Sequence, residues 1–356
     1  MALTPTARSL RSTISIAILF VLFPVGGSAD KLIAKPVAPT LRCADLSARD
    51  QDDMCVWIHP TDRALSIIVV SDKEADRLFV YDLTGRTLQV IPAKHPGNID
   101  VRYGFSLGKE KVDIIAVNQR EGPKILVYKM IVPRRQLERV DNGAITTGEN
   151  YGGTLYRSAK TGRLYFIVTS KSGLIEQYEL LDGGNGNVRG NKVRSWTVGG
   201  QCESAVADDE VGSIYIGQEE KGVWKVGGEP DDPTPGRLVI TLGNHGLVGD
   251  IEGLAIYYLP QGKGFLVVSN QSRDNFKVYR REATHGFIGT FAIAGVKETD
   301  GLDVINVNLG SRFPSGLFAC HSAEENQCPV LLTSWASIAT VFQPELEIST
   351  VWNPRK

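Results

Sequence analysis

The chain is predicted to fold as an all-β, six-bladed β-propeller with a central channel, and three observations predict it. Short apolar strands that end in polar clusters recur about every fifty residues. Hairpin signals follow most of them. The 37 Gly and 17 Pro of the 356 residues interrupt a sequence with few long apolar periodic runs, which excludes a helical bundle. With 42% hydrophobic and 22% charged residues the composition is that of an ordinary globular protein. The 39 basic and 40 acidic side chains leave a formal net charge of -1, so no overall field draws nucleic acid or an anionic bilayer. Any electrostatic recognition must be local.

In chain order, Arg8 and Arg11 precede an apolar run from Ile14 to Val25, and Gly27, Ser28 and Ala29 form a small-residue cleavage site. This is the pattern of a secretory signal peptide. The run is shorter than the roughly 20 residues of a membrane span and is broken by Pro24. The expected organisation is a signal peptide over 1–29 and one propeller domain over 30–356, secreted or periplasmic. Five cysteines in an exported chain suggest disulfides: Cys43 with Cys55, and Cys320 with Cys328, are spaced to close small loops. Cys202 is then the odd one, a buried inert thiol. Asp208 stands where a cysteine phosphatase loop would carry Arg.

The repeated strands are Ile67 to Val70, Ile114 to Val117, Phe166 to Thr169, Ile214 to Ile216, Phe265 to Val268 and Leu317 to Ala319. Beyond most of them a further strand ends in an aromatic: Tyr81, Tyr128, Tyr178, Trp224 and Tyr279. Turns such as Leu83-Thr84-Gly85 follow. Before each copy lies a strand whose start is polar. Six units with room for about four strands each match a propeller, whose blades stack radially.

A radial repeat brings equivalent positions to equivalent places round the axis. At the start of the inner strand, five of six units carry carboxylate: Asp52 and Asp53, Asp100, Glu203, Glu252 with Asp250, and Asp300 with Asp303. The third offers Tyr151. At the end of the next strand the first three units present Lys73, Arg120 and Lys171, and the fourth Glu219 and Glu220. So many carboxylates at one mouth repel unless protons or cations offset them. With almost no His or Cys among them, the donor set is hard oxygen, suited to calcium or magnesium. The neighbouring Lys, Arg and Tyr suit a phosphate group. Asp100 alone reads equally well as a turn residue, and the Asp208-Asp209-Glu210 run reads as a solvated loop.

From Asp52 to Trp335 the chain resembles the β-propeller phytases, also called alkaline phytases or 3-phytases. The resemblance rests on Asp52-Asp53 followed by Val56-Trp57-Ile58-His59-Pro60, on Asn98-Ile99-Asp100-Val101-Arg102-Tyr103, and on Asp250-Ile251-Glu252-Gly253-Leu254. Thr299-Asp300-Gly301-Leu302-Asp303-Val304 and Gly316-Leu317-Phe318 extend it. It implies a calcium-dependent phosphatase whose channel mouth holds several calcium ions and binds two neighbouring phosphates of phytate, myo-inositol hexakisphosphate. One phosphate is cleaved and the other anchors the ring. The implied calcium-side carboxylates are Asp52, Glu203, Glu219, Asp250, Glu252 and Asp303, with Asp53 at a more structural ion. The implied phosphate-side residues are Lys73, Arg120, Tyr151 and Lys171, and the catalytic group is Lys73, Arg120 and Glu219. The implied partner is a small molecule, phytate or another phosphate monoester as its calcium salt, with neither nucleic acid nor membrane.

The chain departs from that family at Met54, Glu74, Gln218, Lys297-Glu298 and His321-Ser322. Two other readings compete. A propeller lactonase would use one metal held by a few carboxylates, and has no use for three cations. A non-enzymatic propeller would keep the ring to bind calcium or a partner.

Overall fold

The computed structural model describes residues 1–2, 36–233, 236–323 and 327–355. The expected signal segment therefore lies, apart from Met1 and Ala2, outside the described residues.

The described residues form six four-stranded antiparallel sheets. A short strand β1 (Leu41–Cys43) precedes blade 1, which comprises β2 (Gln51–Trp57), β3 (Ile67–Asp72), β4 (Arg77–Asp82) and β5 (Thr87–Pro92). Blade 2 is β6 (Pro96–Leu107), β7 (Glu110–Gln119), β8 (Lys124–Ile131) and β9 (Gln136–Arg139). Blade 3 is β10 (Gly152–Arg157), β11 (Leu164–Thr169), β12 (Leu174–Asp182) and β13 (Val188–Thr197). Blade 4 is β14 (Cys202–Asp208), β15 (Ser213–Gln218), β16 (Gly222–Gly227) and β17 (Arg237–Thr241). Blade 5 is β18 (Leu254–Tyr258), β19 (Gly264–Asn270), β20 (Asn275–Arg280) and β21 (Phe287–Phe291). Blade 6 takes β22 (Leu302–Ile305), β23 (Leu317–His321) and β24 (Val330–Ser334) from the end of the chain, and β1 as its outermost strand.

Each second strand is apolar without alternation because neighbouring blades cover both of its faces. In β3, for example, all six residues are buried. The first strands β2, β6, β10, β14, β18 and β22 each pack on the next, and β22 packs on β2, so they close a ring around the channel. The predicted six-bladed propeller is the observed fold.

The chain ends close that ring. β1 pairs with β24 through Leu41↔Leu332, Arg42↔Leu331 and Cys43↔Val330. Gly85, in the predicted Leu83-Thr84-Gly85 turn, has φ +83° and lies against Arg42, whose carbonyl oxygen would stand 2.8 Å from any Cβ. Only glycine meets both demands. After β24 a short helix α1 (Trp335–Ala339) lays Trp335 on Tyr257, with ring centres 4.4 Å apart. The tail then crosses the channel end: Trp352 stacks on Tyr258 of blade 5, and Arg355 pairs with Asp113 of blade 2 at 2.8 Å.

The two expected disulfides are absent, and none of the five cysteines is bridged to another. Cys43 lies on the outermost strand of blade 6, whereas Cys55 lies on the innermost strand of blade 1 and lines the channel. Opposite Cys320 the register places Leu331 rather than Cys328. Cys202 is fully buried and burial pushes its thiol up to about 12, with the charge of Glu219 adding to the effect, which leaves it inert at neutral pH.

Candidate active site

One structural device recurs at one mouth of the channel. Where the second strand ends, the next backbone N–H donates to a carbonyl just before or early in the first-strand segment of the same blade. Lys73 donates to Asp50, Arg120 to His95, Glu219 to Gln201 and Gln271 to Asp250, at 3.1, 3.0, 3.0 and 3.3 Å. Each bond holds a second-strand end beside the polar start of a first strand. That is how the repeat delivers Lys73, Arg120 and Glu219 to one rim, and it adds Gln271 at the fifth position.

The cations lie among carboxylates. Lys73 Nζ is 2.8 Å from Asp52 Oδ1, 3.0 Å from Asp300 Oδ2 and 3.4 Å from Asp50 Oδ2. Arg120 Nη2 is 3.1 Å from Asp52 Oδ2 and bonds Glu203 Oε1. Burial alone would raise the Asp52 carboxyl, but Arg120 and Lys73 outweigh it and hold it down at about 2. Tyr151 is flanked by two cations: the Arg120 guanidinium and the Lys171 ammonium lie 4.7 and 4.6 Å from its ring centre. Lys171 is exposed, so this end of the half-ring faces solvent.

Beside Arg120 the carboxylates crowd. Glu203, Glu219 and Glu252, all buried, place one oxygen each within 4.8 Å of the others. Burial first, then its hydrogen bond with Glu203 and the charges of Glu203 and Glu219, together push the Glu252 carboxyl up to about 12. Burial lifts Glu219 to about 6, against a hydrogen bond from Gln201 and with the charges of Glu203 and Asp250 adding to the rise. Glu219 Oε1 is buried with no hydrogen-bond partner. Three converging hard-oxygen donors, one of them orphaned, fit a divalent cation such as calcium.

The other predicted residues divide by depth. Asp250 reaches the cluster only through its charge on Glu219. Asp53, Asp100 and Asp303 line a cavity of about 420 Å³ inside the channel, separate from the rim. There Asp303 accepts from the backbone of Val56 at 2.9 Å and of Val304 at 2.7 Å, and burial lifts it to about 7. Asp53 accepts from the Ile99 backbone and is raised well above the usual carboxylate range by burial. Asp100 bonds Arg102 and the Leu155 backbone, so it is not a turn residue. The Asp208-Asp209-Glu210 run is not a solvated loop either. Asp208 and Glu210 pair with the buried Arg281, and Asp209 pairs with Arg102.

Sequence reasoning did not include Asp50, Gln201 or Gln271, and left Asp300 out of the ion set. Gln271 donates to Asp300 Oδ1 at 2.7 Å. Its place one residue past β19, equivalent to Lys73 past β3, was the available signal. Of the departures, Gln218 accepts from Trp224 Nε1 at 2.8 Å. His321 accepts from the Asp300 backbone at 2.9 Å, and burial lowers its ring to about 4, so it is neutral.

Comparison with known proteins gives this mouth a context. Among solved structures the chain is similar to the crystal structure of Chaetomium thermophilum Sqt1 bound to the N-terminus of the ribosomal protein L10. That likeness, 13% identical with a TM-score of 0.42 over 72% of this chain and 66% of that one, is too low to carry an argument. The 3-phytase of Bacillus subtilis (strain 168) is 37% identical over 323 residues, which span 86% of this chain and 84% of that protein. The family model described as Phytase matches residues 11–356. The family match runs through all six blades and not the rim alone, and on it and the 3-phytase likeness this chain belongs to the phytase family.

Proposed function

We propose that the chain is a calcium-dependent phosphomonoesterase that hydrolyses phytate to lower inositol phosphates and phosphate by attack of water. The observation that carries this reading is the junction at Glu203. The same carboxylate belongs to the buried Glu203–Glu219–Glu252 cluster and bonds Arg120, so a cation site and an anion site share one wall.

Asp52, Glu203, Glu219, Asp250 and Glu252 would hold calcium at the rim, and Asp53 and Asp303 deeper in the channel. Bound there, calcium supplies charge neutralisation, an activated water and stabilisation of the leaving oxygen. Arg120, Lys171 and Tyr151 bind the phosphate, the cations through charge-assisted hydrogen bonds. Lys73 stands beside Asp52 to balance charge as the phosphoryl group is transferred. Gln201 orients Glu219, and Glu252 retains a proton on its hydrogen bond to Glu203 until a cation replaces it.

The test is phosphate release from phytate by the purified chain near neutral pH, with calcium and with a chelator. Release that needs calcium and is lost in Glu219→Ala is expected. A folded, calcium-stabilised protein that releases no phosphate overturns the reading in favour of a binding propeller. We also propose export, supported by the pattern of residues 1–29. A protein recovered outside the cytoplasm whose sequence starts at Asp30 is the expected result, and one retaining Met1 in the cytoplasm refutes it.

A further inference from the structure

Behind the Arg120–Tyr151 pair, Arg120 Nε and Asn118 Oδ1 are buried with no hydrogen-bond partner. Both face Gly97 of β6. A Cβ on Gly97 would stand 2.6 Å from Arg120 Nε, and 2.8 and 2.9 Å from Asn118 Oδ1 and Nδ2. Gly97 is not in the left-handed region, so its backbone suits any residue. The glycine supplies space here, not conformational freedom.

Asn118 and Arg120 are two residues apart at the end of β7. Asn118 is fully buried, and its Nδ2 donates to Asn150 Oδ1 at 2.7 Å. Asn150 immediately precedes Tyr151. Its own Nδ2 donates to the Lys124 carbonyl at 3.0 Å and to Thr147 Oγ1 at 3.1 Å, which binds the blade 2 to blade 3 connection back onto blade 2. The amide pair thus joins the strand end that carries Arg120 to the segment that carries Tyr151. Asp52 and Glu203 hold the guanidinium from the front.

We propose that Gly97, Asn118 and Asn150 are positioning residues for the phosphate-facing pair. Gly97 leaves the hollow in which the Arg120 side chain lies, and the Asn118–Asn150 bond fixes Tyr151 beside it. This rests on the preceding reading of Arg120 as a phosphate ligand. The device has a physical purpose: an arginine side chain carries about 2 kcal/mol of rotamer entropy, and a preformed seat spares part of that loss on binding.

A double-mutant cycle tests it, using Gly97→Ala, Arg120→Ala and the pair together. The readouts are kcat and KM for phytate, the dissociation constant of inorganic phosphate by calorimetry, and the thermal midpoint. Gly97→Ala is expected to weaken phosphate binding and raise KM about tenfold, the weight of one charge-assisted hydrogen bond, with a smaller change in kcat. In the Arg120→Ala background the same substitution should add nothing. Additive effects, or a Gly97→Ala that moves only the thermal midpoint while Arg120→Ala weakens phosphate binding, overturn the seat alone. An Arg120→Ala with unchanged phosphate binding overturns the ligand role of Arg120 and the seat with it. If Gly97→Ala does not fold, Asn150→Ala carries the test: a raised KM supports the proposal, and an unchanged KM refutes it.

Discussion

Glu219 carries two demands that pull against each other. Burial favours its protonated form, and a cation site needs it ionised. Because its folded value, about 6, lies above the ordinary glutamate value of 4.5, the folded state holds a proton that the unfolded state has released between those values. Stability from this group is therefore full below about pH 4.5 and is lost as pH rises through 6. In chelator, wild type should lose stability relative to Glu219→Gln across that window, read as thermal midpoints of the two proteins. A constant difference between them would mean that the carboxyl is not raised. Away from the rim, Arg281 and Asp208 are both almost fully buried and bonded through two nitrogens. Arg281→Met should cost about 3–5 kcal/mol, the penalty of an uncompensated buried charge, and adding Asp208→Asn should recover much of it. Denaturant unfolding of the single and double variants checks this. The sequence read Asp208 as solvated because its partner lies 73 residues away in the next blade, where no local pattern points. Lys73, Arg120 and Glu219 were legible for the opposite reason: each follows a second strand at a fixed step. Gln201 has no such mark, since its role depends on a side-chain hydrogen bond to Glu219.

The strands were legible wherever both faces are covered, because a doubly buried strand shows as an unbroken apolar run such as Ile67 to Val70. β1 escaped notice. Its three residues, only one of them fully buried, carry no periodic signal, and its partner β24 lies about 290 residues along the chain. The disulfide expectation failed for a related reason: sequence spacing ignores that Cys43 and Cys55 fall in different blades. β1 nevertheless completes blade 6, covering the edge of β24. A chain lacking residues 36–45 should expose the Val330–Leu332 edge, lower the thermal midpoint and self-associate at concentrations where the intact chain does not. Sedimentation velocity on both chains reads the outcome. A monomer of unchanged midpoint would show that three strands suffice for this blade.

Ring closure also brings the chain's tail across one end of the channel. The tail leaves α1 and bonds blade 5 through Ser349 and Tyr257, whose hydroxyl lies 3.0 Å from the Ser349 carbonyl and 3.1 Å from its amide. Asn306, just past β22 of blade 6, donates to the same carbonyl at 3.2 Å. Trp352 stacks on Tyr258 with ring planes 1° apart, and Val351 to Pro354 form part of the cavity wall. Arg355 reaches the far side, where it bonds the Ile58 carbonyl at 2.5 Å and Asp113, with its guanidinium 4.4 Å from the Tyr103 ring centre. One segment thus links blades 5 and 6 to blades 1 and 2 across the joint where the two chain ends meet. Removing residues 348–356 should lower the thermal midpoint, because it strips Trp352 from Tyr258 and leaves Asp113 without Arg355. It should also open the cavity from below. Cys55 is buried in a core but also lines that cavity, whereas Cys202 and Cys320 are packed in cores and do not line it. A maleimide should therefore label Cys55 in the truncated chain and not in the intact one, with Cys202 and Cys320 protected in both. Labelling of all three would mean that the tail holds the whole propeller together instead of closing one end. A Cys55 that stays unreactive in a folded truncated chain would mean that its own packing and the carboxylates of Asp100, Asp303 and Asp53, which hold the thiol protonated, protect it without the tail.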